Sequence, residues 1–451
     1  MPSPSDTIAA LATPHGTAAL AILRVSGSDT KALAAAITGT RPEARRVRHC
    51  DYRALDGALV DDVLLTFFCG PQSYTGEDSL EISCHGSPFI AQKILEDLLA
   101  RGCRPAEPGE FTQRAFLNGR MDLSQAEAVM DLIHARSDRA LEAANLQLRG
   151  ALGTRMEGLI AELLAALARI EAYIDFPDED LPPEDRENVL HRLSHITLDT
   201  NRLIATSHYG SLLRDGIKTV IIGAPNAGKS SLLNRLIGRD RALVSPEPGT
   251  TRDFLEERII VGSHCLRLID TAGLNLSPSP LERLGIEKTL ERVEEADLFL
   301  VVVDSSLPNP PVLPDVLIKR IQALTTIVVM NKSDLAPNAP PPLSFPGVPT
   351  VAVSAVTGSG MEELQSLIVA AAEKFRPDSG DLIAISARHA QALRQARECL
   401  VGAEAKLRAN EPMELVASEL RGVVTSFGEI TGRIDNERML DALFATFCIG
   451  K

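Results

Sequence analysis

Gly223-Ala-Pro-Asn-Ala-Gly-Lys-Ser230 is the stretch around which the rest of the chain is organised. The apolar run Thr219–Ile222 precedes it and the helix-compatible Ser231–Leu236 follows. Strand, glycine loop and helix in that order give G-x-x-x-x-G-K-[ST] the setting of a phosphate-binding loop. Gly223 and Gly228 let the backbone bend tightly, so that successive N–H groups turn inward toward phosphate oxygens. Asn226, Ala227, Gly228, Lys229, Ser230 and Ser231 are therefore the candidate phosphate contacts. Lys229 is expected to reach the β- and γ-phosphates, and the Ser230 hydroxyl to hold Mg2+.

Working outward, elements alternate β and α between about residues 214 and 376, which implies a mainly parallel sheet covered on both faces. Strands are expected at Thr219–Ile222, Arg258–Val261, Cys265–Asp270, Leu298–Asp304, Thr326–Met330 and Thr350–Val353. The remaining motifs fall at strand ends, where open α/β sheets bind ligands. Asp270-Thr271-Ala272-Gly273 ends one strand, with Asp270 suited to outer contacts of Mg2+ and the Gly273 N–H to sensing the γ-phosphate. Asn331-Lys332-Ser333-Asp334 ends another. The Asp334 carboxylate can accept two parallel N–H bonds from guanine, which adenine does not offer, so GTP is selected over ATP. Ser354-Ala355-Val356 ends the last strand, placing backbone N–H groups near guanine O6. In order and spacing these motifs resemble a translation-factor-class GTPase. Leu274 stands where Ras-like proteins carry a water-orienting glutamine, and leucine cannot orient water.

Composition sets wider limits. The 451 residues suffice for about two to four domains, and no apolar run approaches the ~20 residues of a membrane span. No N-terminal stretch has the make-up of a secretory leader, which with the rest predicts a cytoplasmic protein. Seven dispersed cysteines without a C-x-x-C pair argue for a reducing compartment and against disulfides or structural zinc. A net charge of −14 argues against a broad nucleic-acid face. Any RNA contact is expected to be local or shared with a more basic partner.

Residues 1–118 have the texture of a compact α+β domain, with Ala19–Val25 as a strand carrying the single charge Arg24. Leu80-Glu-Ile-Ser-Cys-His85 alternates strictly, which turns Leu80, Ile82 and Cys84 to a core and Glu81, Ser83 and His85 to the other face. Pattern leaves open whether that face lines a polar pocket or meets solvent. From residue 119 the texture turns helical. Ser124 with Glu127 has the spacing of a capping box, and Met156, Leu159, Leu163, Leu167 and Ile170 form one apolar stripe. The acidic stretch Asp175–Asp185 should break that helix, with a further helix reaching about Ser207. Helical texture returns in Ala387–Ala409 and Glu414–Phe447. The nucleotide module, 214–376, is thus expected as an insertion in an all-α domain made of 119–213 and 377–451.

Longer stretches carry a specific resemblance. Ser245-Pro-Glu-Pro-Gly-Thr-Thr-Arg-Asp253, Asp270-Thr-Ala-Gly-Leu-Asn275 and Leu281-Glu-Arg-Leu-Gly-Ile-Glu287 resemble the switch regions of the MnmE (TrmE) family of tRNA-modification GTPases. Tyr74-Thr-Gly-Glu-Asp78, Glu81-x-x-x-His-Gly86, the run Pro108–Ala128 and the ending Phe447-Cys-Ile-Gly-Lys451 resemble the same family. The resemblance implies a multidomain α/β plus α protein: a Ras-like P-loop GTPase domain inserted in the helical domain, behind a tetrahydrofolate-binding, dimerising N-terminal domain. It implies a homodimer working with the FAD-dependent MnmG, and tRNA held largely through that partner. The product would be a carboxymethylaminomethyl or aminomethyl group at C5 of the wobble uridine. Position by position, it implies Glu282 as the residue orienting the hydrolytic water, with Lys229, Thr251 and Gly273 also in the catalytic set. Ser230 and Thr251 fall at Mg2+ positions, and Asn226, Ser245, Glu247 and Thr250 at K+ positions. Ser245, Pro246, Glu247, Pro248, Gly249, Thr250 and Thr251 extend the GTP contacts. Arg24, Glu81, Arg120 and Lys451 fall at positions that contact 5-formyl- or methylene-tetrahydrofolate.

The sequence also departs from the family. Pro14-His-Gly-Thr-Ala-Ala19 replaces a glycine- and arginine-rich turn, Asn275 stands where many members have arginine, and Ser277-Pro-Ser-Pro280 is unusually stiff. Asn226 also suits a loop that needs an unusual backbone angle. Cys448 suits either a nucleophile or a small hydrophobe. A ribosome-assembly GTPase of the Era or Der type shares Pro-Asn-x-Gly-Lys-Ser, but it predicts an RNA-binding domain or a second GTPase, and neither is visible.

Overall fold

The computed structural model describes residues 6–175, 183–239, 256–270, 295–307, 325–336, 347–377, 383–432, 440 and 443–450. They fall into two compact units, one of residues 1–130, 153–157 and 427–451, the other of residues 131–152 and 158–426.

The first unit is built on β1 (Ile8–Leu11), β2 (Leu20–Ser26), β3 (Val47–Arg53), β4 (Leu59–Phe68), β5 (Ser79–His85) and β6 (Arg104–Pro105), in the order β3-β4-β5-β2-β1-β6. All neighbours are antiparallel except β1 and β6. Helices α1 (Thr30–Thr38) and α2 (Pro88–Ala100) cover one face. There Leu33, Ala34, Ile94 and Leu98 pack on Leu23, Val25, Leu80, Ile82 and Cys84. The expected alternation of β5 therefore holds. On the other face Ile8 and Ala10 meet Phe111 of α3 (Glu110–Leu117) and the side chain of Tyr74.

The helix α4 (Leu123–His134) is capped differently from expectation. Asp122, not Ser124, is the capping residue. Its Oδ1 accepts from the Gln125 N–H at 2.8 Å, and Gln125 Oε1 accepts from the Asp122 N–H at 2.9 Å. Ser124 is fully buried as the second residue of the helix and donates to Asp122 Oδ1. A carboxylate serves the helix N-terminus better than a hydroxyl, because it also meets the positive end of the macrodipole. After α4 come α5 (Asp138–Leu148) and α6 (Ala151–Asp175); in α6 the stripe Met156, Leu159, Leu163, Leu167 and Ile170 is buried as its spacing requires.

In the second unit α7 runs Pro183–Asp215, eight residues past the expected end. Leu203, Tyr209 and Leu212 keep the buried stripe going beyond Ser207. Gly210 sits where a Cβ would come within 2.5 Å of the Ile385 carbonyl, so close packing there requires a glycine. The nucleotide module follows: β7 (Ile217–Gly223), α8 (Lys229–Arg239), β8 (Glu256–Val261), β9 (His264–Asp270), β10 (Leu298–Asp304), β11 (Thr326–Asn331), β12 (Thr350–Ala352) and α9 (Met361–Glu373). The strand order is β12-β11-β10-β7-β9-β8, parallel throughout except for β8 against β9. Every residue of β11, and all but the last of β10, is buried, as a sheet covered on both faces demands. Then come α10 (Ala387–Arg408), which packs along α7, and α11 (Met413–Thr431). Helical texture, expected as far as Phe447, is found again at Leu440, Leu443 and Phe444, but α11 itself ends at Thr431. Gly432 follows at φ +77°, in the left-handed conformation that ends a helix. Among the described residues no helix is long and apolar enough to cross a membrane.

Candidate nucleotide site and a second polar centre

The nucleotide site grows from the C-terminal end of β7, between β10 and β9. Gly223 is required because a Cβ there would come within 2.2 Å of the Val302 carbonyl of the adjacent strand. Past it the loop turns with Asn226 at φ +63° and Gly228 at φ +91°. Asparagine tolerates that left-handed angle, so backbone conformation alone accounts for its presence at 226. Its side chain is exposed, as are Ser230 and Ser231 at the start of α8. Lys229 Nζ donates to the Gly223 and Ala224 carbonyls, each at 3.0 Å, which curls the lysine over the loop.

Asn331 ties this loop to the guanine motifs. It is 2% exposed; its Nδ2 donates to the Ala227 carbonyl at 2.9 Å, and its Oδ1 accepts from the Ala355 N–H at 3.1 Å. One amide therefore spans the phosphate loop, the end of β11 and the loop after β12. A Cβ on Gly228 would come within 2.2 Å of that Nδ2. Asp334 is exposed at the end of its turn, while Ser333 is held by its N–H on the Val353 carbonyl at 3.1 Å. Ser354 is fully buried and its N–H donates to the Ser359 carbonyl. The Ser354 and Ala355 N–H groups are thus both engaged within the protein. Val356 is exposed.

Asp304, at the end of β10, escaped the sequence reading. It accepts from Lys332 Nζ at 2.6 Å and from Ser306. Burial pushes its carboxyl pKa up, but the Lys332 ammonium and the Ser306 hydrogen bonds outweigh that and hold it below the usual range. Lys332 itself has φ +60°. The signal available in sequence was its position, a carboxylate ending a parallel strand next to the phosphate loop.

Ser245, Pro246, Glu247, Pro248, Gly249, Thr250, Thr251, Thr271, Ala272, Gly273, Glu282 and Lys451 lie outside the described residues, as do Leu274 and Asn275. Asp270 ends β9 as expected.

A second polar centre lies in the first unit. Arg24 and Glu81 face each other across β2 and β5, with the Arg24 Nε and Nη2 donating to Glu81 Oε1 at 3.2 and 2.9 Å. Arg24 Nη1 also donates to the Gly450 carbonyl at 3.3 Å, next to the chain end. The guanidinium lies 5.4 Å from the Tyr74 ring centre and 5.8 Å from that of Phe111, within reach of cation–π attraction. Arg120 is exposed, with its aliphatic stem against Gly76, and no described hydrogen bond or ion pair joins it to Arg24 or Glu81. His85, on the same face of β5, is held by Asp61 Oδ1 at 2.8 Å.

The same unit holds a charged network that joins Glu77, Glu110 and Arg114, all in the stretches quoted above, to Asp6 and Arg104. Glu110, 3% exposed, accepts from Arg104 at 2.6 and 3.1 Å, from Arg114 at 2.9 Å and from the Glu107 N–H at 2.8 Å. Asp6 binds both arginines, and Glu77 binds Arg114 and Ser26.

Comparison with known proteins covers the whole chain. The model of the MnmE helical domain matches residues 123–448, and that of the GTP-binding protein TrmE N-terminus matches residues 7–120. A tRNA modification GTPase MnmE of Opitutus terrae is 58% identical, with 100% of each chain covered. Its counterpart in Akkermansia muciniphila is 44% identical, again over 100% of each chain. That of Symbiobacterium thermophilum is 41% identical over 99% of each.

Proposed function

The chain belongs to the MnmE family of tRNA modification GTPases, and from that membership we propose how its residues divide the work. It is a GTP hydrolase acting in tRNA modification. In our reading it works with the FAD-dependent MnmG in the cytoplasm, as a homodimer. The pair installs a carboxymethylaminomethyl or aminomethyl group at C5 of the wobble uridine, with tRNA held largely by the partner. Residues 1–118 form the folate-binding domain, 119–213 with 377–451 the helical domain, and 214–376 the GTPase.

The observation that carries the nucleotide half is the Asn331 bridge. It makes the phosphate loop and the guanine-reading loops one rigid cradle, so that Asp334 and the Gly228–Ser231 backbone address the two ends of one nucleotide. The residues present fit the expected ions. Ser230 offers an exposed hydroxyl beside Lys229 for Mg2+, with Thr251 as its second ligand, and Asn226 offers an exposed amide oxygen for K+, with Ser245, Glu247 and Thr250. Bound there, the two cations supply positive charge beside the phosphates. Lys229, Thr251, Gly273 and Glu282 are the residues we assign to hydrolysis, Glu282 as the one that orients the water. In the first unit Arg24 and Glu81 supply the cation and the carboxylate that tetrahydrofolate needs, with Arg120 and Lys451 completing the set.

The tRNA assignment is tested by mass spectrometry of wobble nucleosides, in tRNA from cells lacking the protein and from the same cells with it restored. Restoration of the C5 mark is expected; an unchanged profile with folded, expressed protein would sink the assignment. The cation assignment has a sharper test. Asn226→Gly keeps the left-handed backbone and removes the side-chain amide, its oxygen included. GTP binding should persist while stimulation of turnover by K+ over Na+ disappears. Retained stimulation would reduce Asn226 to a conformational role.

A further inference from the structure

The second unit encloses a cavity of about 320 Å³ that the nucleotide motifs do not use. Ala140, Ala143 and Ala144, on one side of α5, give it a flat floor of small side chains. Gln147, one turn further along the same helix, also lines it. That glutamine is 3% exposed, and neither Oε1 nor Nε2 has a hydrogen-bond partner. A donor and an acceptor buried in that state have each lost their hydrogen bonds to water with nothing in return. A site that completes both at once presents an acceptor beside a donor, the complement of an amide edge.

Two arginines complete the wall, Arg136 and Arg258. They come from different elements, Arg136 from the turn before α5 and Arg258 from β8, and both line this one cavity. Arg214 is forked onto Asp131 at 2.8 and 3.0 Å and donates to the Ile385 carbonyl, and it serves as a fixed wall.

We propose that this cavity binds a small anion whose planar ring carries an amide edge, of the dimensions of a uridine monophosphate. The ring lies on the alanine floor and its N–H donates to Gln147 Oε1. The adjacent carbonyl accepts from Nε2, a two-point pairing of the kind by which glutamine reads base edges. The phosphate lies at Arg136 and Arg258, whose planar forks suit its oxygens. The volume falls at the small end of ligand sites. Asp215 also lines the cavity; it ends α7, and only Gly216 separates it from β7, the strand that leads into the phosphate loop. Occupancy is thereby placed at the joint through which α7 addresses the nucleotide module.

The test uses full-length protein saturated with GDP and Mg2+, titrated calorimetrically with uridine 5′-monophosphate, with inorganic phosphate as control. One-to-one binding tighter than about 1 mM is expected, with phosphate alone at least about tenfold weaker. Gln147→Leu and Arg258→Gln should each weaken it at least about tenfold. Gln147→Leu should also raise the thermal midpoint of the ligand-free protein, because it removes two unpaired buried atoms without changing the volume much. No heat at about 5 mM nucleotide, or binding unchanged by both substitutions, would overturn the proposal and leave a water-filled cavity. Phosphate binding as tightly as the nucleotide would overturn the amide edge.

Discussion

Among the described residues, two six-stranded sheets build polar sites by opposite means. The parallel sheet buries both faces, so its site is pushed to the strand ends, where backbone groups and glycines do the positioning. Gly223, Gly228 and the Asn331 bridge are its fixed points. The mixed sheet of the first unit has one face under helices and presents side chains on the other. Arg24 and Glu81 stand there as a cross-strand pair over Tyr74, Phe111 and a buried charge network. A backbone site tolerates no added carbon atom; a side-chain site tolerates no lost charge partner.

The largest effect should come from adding a single methyl group to the backbone site. In Gly228→Ala the new Cβ meets Asn331 Nδ2 and sits on a backbone at φ +91°. GTP affinity should fall at least about hundredfold by fluorescent-nucleotide titration. The binding of 5-formyltetrahydrofolate proposed for the first unit should stay the same. Affinity within threefold of the parent would remove the cradle from the account.

Loss of a partner in the other unit should be milder and dependent on pH. Burial raises the Glu110 carboxyl pKa, but Arg104, Arg114 and the Glu107 N–H outweigh it, so the folded value lies below the ordinary one. A group depressed in this way contributes its full stability above the unfolded value. The contribution is lost as pH falls through the folded value. Glu110→Gln should therefore cost about 1–3 kcal/mol at pH 7. That deficit should shrink below about pH 4. Denaturant midpoints at the two pH values measure it, and a deficit independent of pH would contradict the charged role.

The smallest effect distinguishes the two capping candidates of α4. Asp122→Ala should cost about 1 kcal/mol and Glu127→Ala nothing measurable at the cap. Equal losses would restore the spacing-based choice of Ser124 and Glu127.

These contrasts explain what was legible beforehand. All six strands of the parallel sheet were placed within two residues of their observed ends, because continuous burial writes long apolar runs and loop glycines punctuate them. The guanine motif was visible for the same reason: its residues are consecutive. Helix ends were less legible. The extension of α7 to Asp215 depends on packing around Gly210, and the end of α11 at Thr431 depends on Gly432, whose Cβ would strike the Phe116 ring. The cap of α4 was misplaced because serine and aspartate satisfy the same pattern, and only hydrogen bonds distinguish them.

By itself the sequence determined the fold class, the nucleotide loop and the family, since all three rest on local backbone demands or contiguous motifs. Tertiary structure alone decided which distant groups meet. Arg24 reaches a carbonyl 426 residues away at Gly450. Glu110 gathers two arginines, and Asn331 joins two loops more than a hundred residues apart, through the Ala227 carbonyl. The physical reason is that a buried charge or amide must find partners wherever the folded chain brings them, and sequence spacing carries no record of that distance.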